Sequence, residues 1–285
     1  MQKAIFPALF LLTFVAPPVV SAQSVKIKGS DTLLPLMQRW AQLYEKKNPQ
    51  VHLLTSGGGS GAGISALLKG ETDIAESSRP LTEAEKEQFR KLGKTPVDVA
   101  VAADAVEILA NPANSISSLT MDQVKGIFSG TITNWKEVGG EDAKIVVYGR
   151  DSSSGTHVFL QEHALHGARF AAGTVEFPAN AAMTAAVLKD KNGICYAGLA
   201  AGKALKSLRI SADAKSPAFP ATAENIHSTK YPLCRLLHWY LASRPTGAVK
   251  ELCFWAISPE AQTAAEKMGF IPIPAEIRNS VESRL

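Results

Sequence analysis

The chain has 285 residues, with 30 Lys and Arg against 26 Asp and Glu and a formal charge of +4. That balance is too mild to imply a nucleic-acid partner, and no block of like charges stands out, so any anion site must be local. At this length the chain reads as one large domain or two ordinary ones, either able to bury a full core without a metal or disulfide staple.

In chain order, Met1–Lys3 is short and basic, Ala4–Val20 is almost wholly apolar, and Val20-Ser21-Ala22 offers small residues to a signal peptidase. This order predicts a secretory signal peptide at residues 1–22, cleaved after Ala22. Pro7, Pro17 and Pro18 interrupt the run, and it is short for a membrane span. No cysteine follows it, so a lipid anchor is not indicated, and removal of Lys3 lowers the net charge by one.

Beyond the leader, strands and helices alternate, which predicts an α/β fold. Val25–Lys28 alternates as a strand and stops at Gly29; Leu33, Leu36, Met37, Trp40, Leu43 and Tyr44 then recur at helical spacing. Val51–Leu54 reads as a strand running into the glycine cluster Gly57–Gly63 and a helix that ends at Gly70. Asp73-Ile74-Ala75 is a third short strand. Thr82 with Glu85, and Thr120 with Gln123, have capping-box spacing. Pro96–Asn111 is the longest β-like run. Lys144–Tyr148 is a strand ending at Gly149-Arg150, followed by a helix from about Thr156. Ala181–Lys189 reads as helix and Gly193–Tyr196 as strand. Ser211–Glu224 is polar and proline-bearing and reads as a loop. Ser258-Pro259 opens a late helix that Gly269 closes.

Cys195, Cys234 and Cys253 are odd in number and widely spaced. An oxidising compartment allows one disulfide, with Cys234 and Cys253 the nearer pair, and three buried thiols is the other reading. His163 and His166 stand one helical turn apart with His157 nearby, but no third ligand is evident, so no metal site is expected.

Three strand-to-helix junctions share one chemistry: Gly29-Ser30-Asp31-Thr32-Leu33, Gly57–Gly63, and Arg150-Asp151-Ser152-Ser153-Ser154-Gly155-Thr156. Each puts glycine or small hydroxyl residues where a helix begins. The first N–H groups of a helix lack internal partners and carry the positive end of its dipole. One such junction is only a capped helix. Three of them, with Arg150 and the Arg79 of Ser77-Ser78-Arg79, point to a shared oxyanion. Enzyme motifs are weaker. There is no GxxxxGK[ST] loop, Ala62 breaks a GxSxG elbow around Ser60, and Ile64 stands where a GxGxxG motif needs glycine.

These motifs, with Ile127-Phe128-Ser129-Gly130-Thr131-Ile132-Thr133-Asn134-Trp135 and Tyr231-Pro232-Leu233, occur in an order that resembles the PstS-like family, the periplasmic phosphate-binding proteins of ABC phosphate transporters. The resemblance spans essentially the whole mature chain. It implies a type II, two-lobed Venus-flytrap fold with the ligand in the interlobe cleft. Lobe one would comprise residues 23–103 and 231–285, and lobe two residues 104–230. It also implies a phosphate site made from Thr32 and Leu33 (backbone N–H), Ser60, Ser78, Arg79, Asp104, Arg150, Ser154, Gly155 and Thr156. Ala105 departs from the glycine often found after this Asp, and Glu107 is unusual in an apolar crossing strand. Asp31 must point away from the anion or be neutralised, and Ser30 is either a ligand or a turn former. The implied protein is a periplasmic monomer that is not an enzyme, uses no cofactor or metal, binds inorganic phosphate and delivers it to a membrane permease. The alternatives are a phosphate sensor, a binder of sulfate or molybdate, or a periplasmic phosphatase.

Overall fold

The computed structural model describes residues 23–285; the leader reading for residues 1–22 lies outside them. The chain begins with three parallel strands and their crossover helices: β1 (Gln23–Gly29), α1 (Leu34–Lys47), β2 (Val51–Ser56), α2 (Ser60–Lys69) and β3 (Ile74–Ser77). Next come α3 (Glu83–Lys91), β4 (Val97–Ala110), β5 (Ser118–Thr120) and α4 (Met121–Ser129). A 3-10 turn over Trp135–Val138 leads to β6 (Val146–Arg150), α5 (Gly155–His163), β7 (Val175–Phe177), α6 (Asn180–Lys189) and β8 (Gly193–Gly198). The rest is β9 (Lys206–Ser207), β10 (Arg209–Ser211), α7 (Ala223–His227), β11 (Cys234–Leu241), α8 (Gly247–Ala256), α9 (Pro259–Met268) and α10 (Ala275–Arg284).

One mixed sheet runs in the order β2-β1-β3-β11-β4-β8-β6-β7, with β9 also paired to β4, and β5 and β10 form a small parallel pair. The apolar β4, 14 residues long, is the spine. At about 3.4 Å per residue it can extend roughly 45 Å, enough to serve two cores. Its first half pairs with β11, and its second half from Val106 pairs with β8. The core changes at the same place. Val99–Ala102 pack with Trp40, Leu237, Trp239 and Phe270, whereas Ala103, Ala105, Val106 and Ile108 pack with Phe128, Trp135, Tyr196 and Tyr231. β11 makes the return crossing, with a register shift between Leu237 and His238.

Local signals explain the helix ends. Thr82 and Glu85 exchange the two bonds of a capping box, as do Thr120 and Gln123. Ser258 caps α9 and Gly269 ends it in the left-handed conformation (φ 97°). Ile132 lies over Gly126, and the Trp135 indole donates to Asn192 O (3.1 Å), so the Ile127–Trp135 motif closes α4 against β8 rather than facing the site below. The segment expected to be a loop, residues 211–224, includes a bridge from Phe219 to Ile210 and the first turn of α7. All three cysteines are free thiols, and Cys234 Sγ donates to Tyr231 O (2.8 Å), which favours the thiol reading over a disulfide.

Candidate functional site

β1, β2, β3 and β6 end at Gly29, Ser56, Ser77 and Arg150, and the loops that follow them converge. Ligand sites of open α/β sheets form at such carboxyl ends. Ser30, Thr32, Ser60, Ser78, Asp104 and Thr156 are all buried there. Ser30 Oγ contacts Ser78 Oγ, and Thr32 Oγ1 lies 3.3 Å from Thr156 Oγ1. Gly155 packs directly on Ser60 Oγ, where any side chain would collide, so glycine is what lets α5 start against α2.

The polarity of these hydroxyls is set by fixed donors. Ser30 Oγ accepts Thr32 N–H (3.2 Å), Ser60 Oγ accepts Ser78 N–H (3.0 Å), and Thr156 Oγ1 accepts Arg235 Nη1–H (3.0 Å). A hydroxyl has one proton to give. When its oxygen already accepts, that proton is free to be directed elsewhere, so each group is prepared as a donor. The N–H groups of Gly155 and Thr156, at the start of α5, add donors with no acceptor inside the helix. Such a surface suits an anion.

The charged residues are arranged differently from the sequence expectation. Arg79 turns away: its two terminal nitrogens donate to both Glu85 oxygens (2.7 Å each), and Nη1 also reaches Pro80 O. Burial works against the Glu85 charge, but the Arg79 bonds outweigh it and hold that carboxyl below its usual value. Arg150 Nη2 donates to Asp31 (2.6 Å) and Pro178 O, Nε to Phe177 O, and Nη1 to Asn180 Oδ1. Asp31 is therefore neutralised, and among the described residues Arg150 retains a single N–H without an acceptor. Below it, His157 Nδ1 donates to Arg150 O (2.6 Å), and burial lowers the His157 pKa. Leu33 N–H closes the turn onto Ser30 O, and its side chain is core. Ser154 Oγ caps α5 by accepting His157 N–H, and by the same rule it keeps its proton to donate.

Asp104 has a partner that sequence reasoning missed. Arg235 stands directly opposite it in the β4–β11 ladder and donates to Asp104 Oδ2 from Nε (3.1 Å) and Nη2 (2.7 Å). Leu199 N–H donates to Oδ1 (3.0 Å). A signal existed: Arg235 is the only charge in the otherwise apolar run Cys234–Leu241, as Asp104 is in Val99–Val106. Both side chains are almost wholly inaccessible, at 1% and 0% exposure. Burial pulls the Arg235 pKa down and Asp104 opposes it.

Bonds between the two halves close over the cluster. Gly61 N–H donates to Ser153 O (3.0 Å), Ser153 Oγ to Gly58 O (3.3 Å), and Arg150 reaches Asp31. A two-core sheet with a buried donor surface where its halves meet is the architecture of the two-lobed periplasmic-binding-protein fold. Comparison with known proteins agrees: a model described as a PBP superfamily domain matches residues 16–260. The phosphate-binding protein PstS of Pseudomonas aeruginosa is 33% identical over 269 residues, covering 87% of this chain and 83% of that protein. The chain belongs to the PstS phosphate-binding protein family. Among solved structures, a substrate-binding protein of Clostridium perfringens with bound phosphate superposes with a TM-score of 0.80 at 26% identity, over 88% of this chain and all of that one. An ABC-type phosphate transport receptor of Vibrio cholerae gives 0.71 at 30% identity, again over 88% and 100%.

Proposed function

We propose that this chain is an exported solute-binding protein that takes inorganic phosphate between its lobes and presents it to the membrane permease of an ABC-type importer. Residues 1–22 are its leader, removed after Ala22, and the mature protein works in the periplasm as a monomer without cofactor. The lobes are residues 23–103 with 231–285, and 104–230, and the closed form is what a permease distinguishes from the open one.

The observation that carries this reading is the donor surface, in which Ser30, Ser60 and Thr156 each accept from a fixed N–H and so turn their protons to a ligand. Thr32 and the N–H groups of Gly155 and Thr156 complete it, together with Ser78, whose hydroxyl bonds that of Ser30 so that the pair has one proton to give a ligand. Arg79 is left out, because both its terminal nitrogens hold Glu85. Arg150 stands at the edge, tied to Asp31. Asp104 supplies selectivity. Among the described residues its Oδ1 accepts only Leu199 N–H, and it keeps a lone pair for the O–H that phosphate carries near neutral pH. Sulfate has no such proton, so it would set bare oxygen against a buried carboxylate.

Calorimetry of ligand-stripped protein with phosphate, sulfate and molybdate tests this. Phosphate is expected to bind at least ~10³-fold more tightly than sulfate, equal to about 4 kcal/mol, and Asp104→Asn to narrow the gap. Equal affinities, or no phosphate binding, would reject the reading.

A further inference from the structure

Arg235 occupies a position that a simple strand-to-strand tie does not require. Its Nε and one Nη2–H satisfy Asp104, which is enough to neutralise a buried carboxylate. Nη1 nevertheless continues past Asp104 to Ser78 O (3.1 Å) and Thr156 Oγ1 (3.0 Å). Ser78 comes from the β3 loop and Thr156 from α5, so one guanidinium spans both sides of the hydroxyl cluster. The ring of Phe159, one turn further along α5, lies 5.4 Å from the guanidinium carbon and restrains it from another side. Neither Arg79 nor Arg150 bonds any hydroxyl of that cluster.

The consequence is chemical. Thr156 Oγ1, accepting from a cation, cannot turn its own proton back toward Arg235, so its O–H is available to an anion in the cleft. A hydrogen bond donated by an ionised group is roughly twice as strong as a neutral one. Asp104 fixes the guanidinium plane through two donors, Nε and Nη2, that converge on Oδ2, and the plane fixes the Thr156 hydroxyl.

We propose that Arg235, held by Asp104, is the positioning residue of the anion site, orienting the Thr156 hydroxyl as a donor and supplying the positive charge that contacts the hydroxyl cluster. The proposal rests on the phosphate reading above. It assigns to Arg235 the charge that sequence motifs assign to Arg79 and Arg150.

The test separates this role from mere neutralisation of Asp104. Phosphate is titrated into wild type, Asp104→Asn, Asp104→Asn/Arg235→Gln, and the last two with Thr156→Val added, with thermal unfolding as a check on folding. In the Asp104→Asn background no buried carboxylate needs a counterion. Arg235→Gln is nevertheless expected to weaken phosphate binding at least tenfold, and that loss to shrink at least threefold once Thr156→Val is present. A loss below tenfold, or one undiminished by Thr156→Val, overturns the proposal while leaving phosphate binding intact. Absence of phosphate binding by wild type removes the functional reading and this proposal with it. If the double variant does not fold, Arg235→Lys serves: it keeps a cation beside Asp104 but cannot bridge Asp104, Ser78 and Thr156 together. A tenfold loss is again expected, and a smaller one overturns the role.

Discussion

Glu76 is fully buried on β3, directly across the ladder from Trp239, and among the described residues neither of its carboxylate oxygens has a hydrogen-bond partner. Burial pushes its pKa well above the ordinary value of 4.5, the Trp239 indole opposes the shift, and the negative charge of Asp31 adds to it. The folded chain therefore holds this proton more tightly than the unfolded one. The stability it lends is complete below about pH 4.5 and is lost as pH rises through the folded value, at ~1.4 kcal/mol per pH unit across that window. Glu76→Gln, which cannot ionise, is expected to flatten the fall of melting temperature with pH above that point. Thermal melts of both proteins from pH 5 to 9 decide the matter, and parallel curves would mean that Glu76 is not the titrating group. Read from the sequence, Glu76 falls between a third strand ending at Ala75 and Ser77-Ser78-Arg79. Its isolation became visible only when β11 brought an indole, and no cation, opposite it.

At the scale of elements, the loops after β2 and β6 meet as a clasp. Gly59, with φ 91° and ψ 156°, occupies backbone space that is essentially closed to other residues, and a Cβ there would come 2.5 Å from Ser153 O. Such a conformation costs a non-glycine residue on the order of 1–3 kcal/mol. The collision with Ser153 adds a penalty only where the two loops touch, and the proposed opening of the lobes would relieve it. Gly59→Ala is therefore expected to weaken phosphate binding about tenfold or more and to raise the radius of gyration in saturating phosphate, with the circular dichroism of the folded chain unchanged. Wild-type affinity together with a wild-type scattering profile would dissociate this contact from closure. The glycine run was legible as a helix N-terminus, and so were both capping boxes, because these signals reside within a few neighbouring residues. The short strands β5, β7, β9 and β10 were not, since two or three residues carry no periodicity and exist only through their partners.

For the molecule as a whole, ligand binding and folding are linked. An anion bound as proposed between residues 30–32, 60, 78 and 156 would have no site in the unfolded chain, so phosphate is expected to stabilise the folded state by mass action. At a hundredfold excess over Kd this amounts to ~2.7 kcal/mol, or a rise in melting temperature of roughly 5–10 °C for a chain of this size. Differential scanning fluorimetry with phosphate and with sulfate checks both the shift and its selectivity. An equal shift with either anion would assign the effect to ionic strength rather than to the cleft. The same coupling gives the long β4 and its return strand β11 their importance: the two crossings carry Asp104 and Arg235, so the charged wall of the site and the junction between the cores are one structure.

The α/β alternation, the caps, the three anion-suited junctions and the family are all legible before folding, because each is written in residues close together along the chain. The sequence also located Asp104 and the hydroxyls that the fold gathers. How the charges are shared depends on contacts that form only in the folded chain. Arg79 could pair with Glu85 six residues on, Arg150 met Asp31 from a distant loop, and Asp104 found Arg235 across 131 positions. A buried charge takes the partner that strand register and loop closure bring within hydrogen-bonding distance, and register is a property of the assembled sheet.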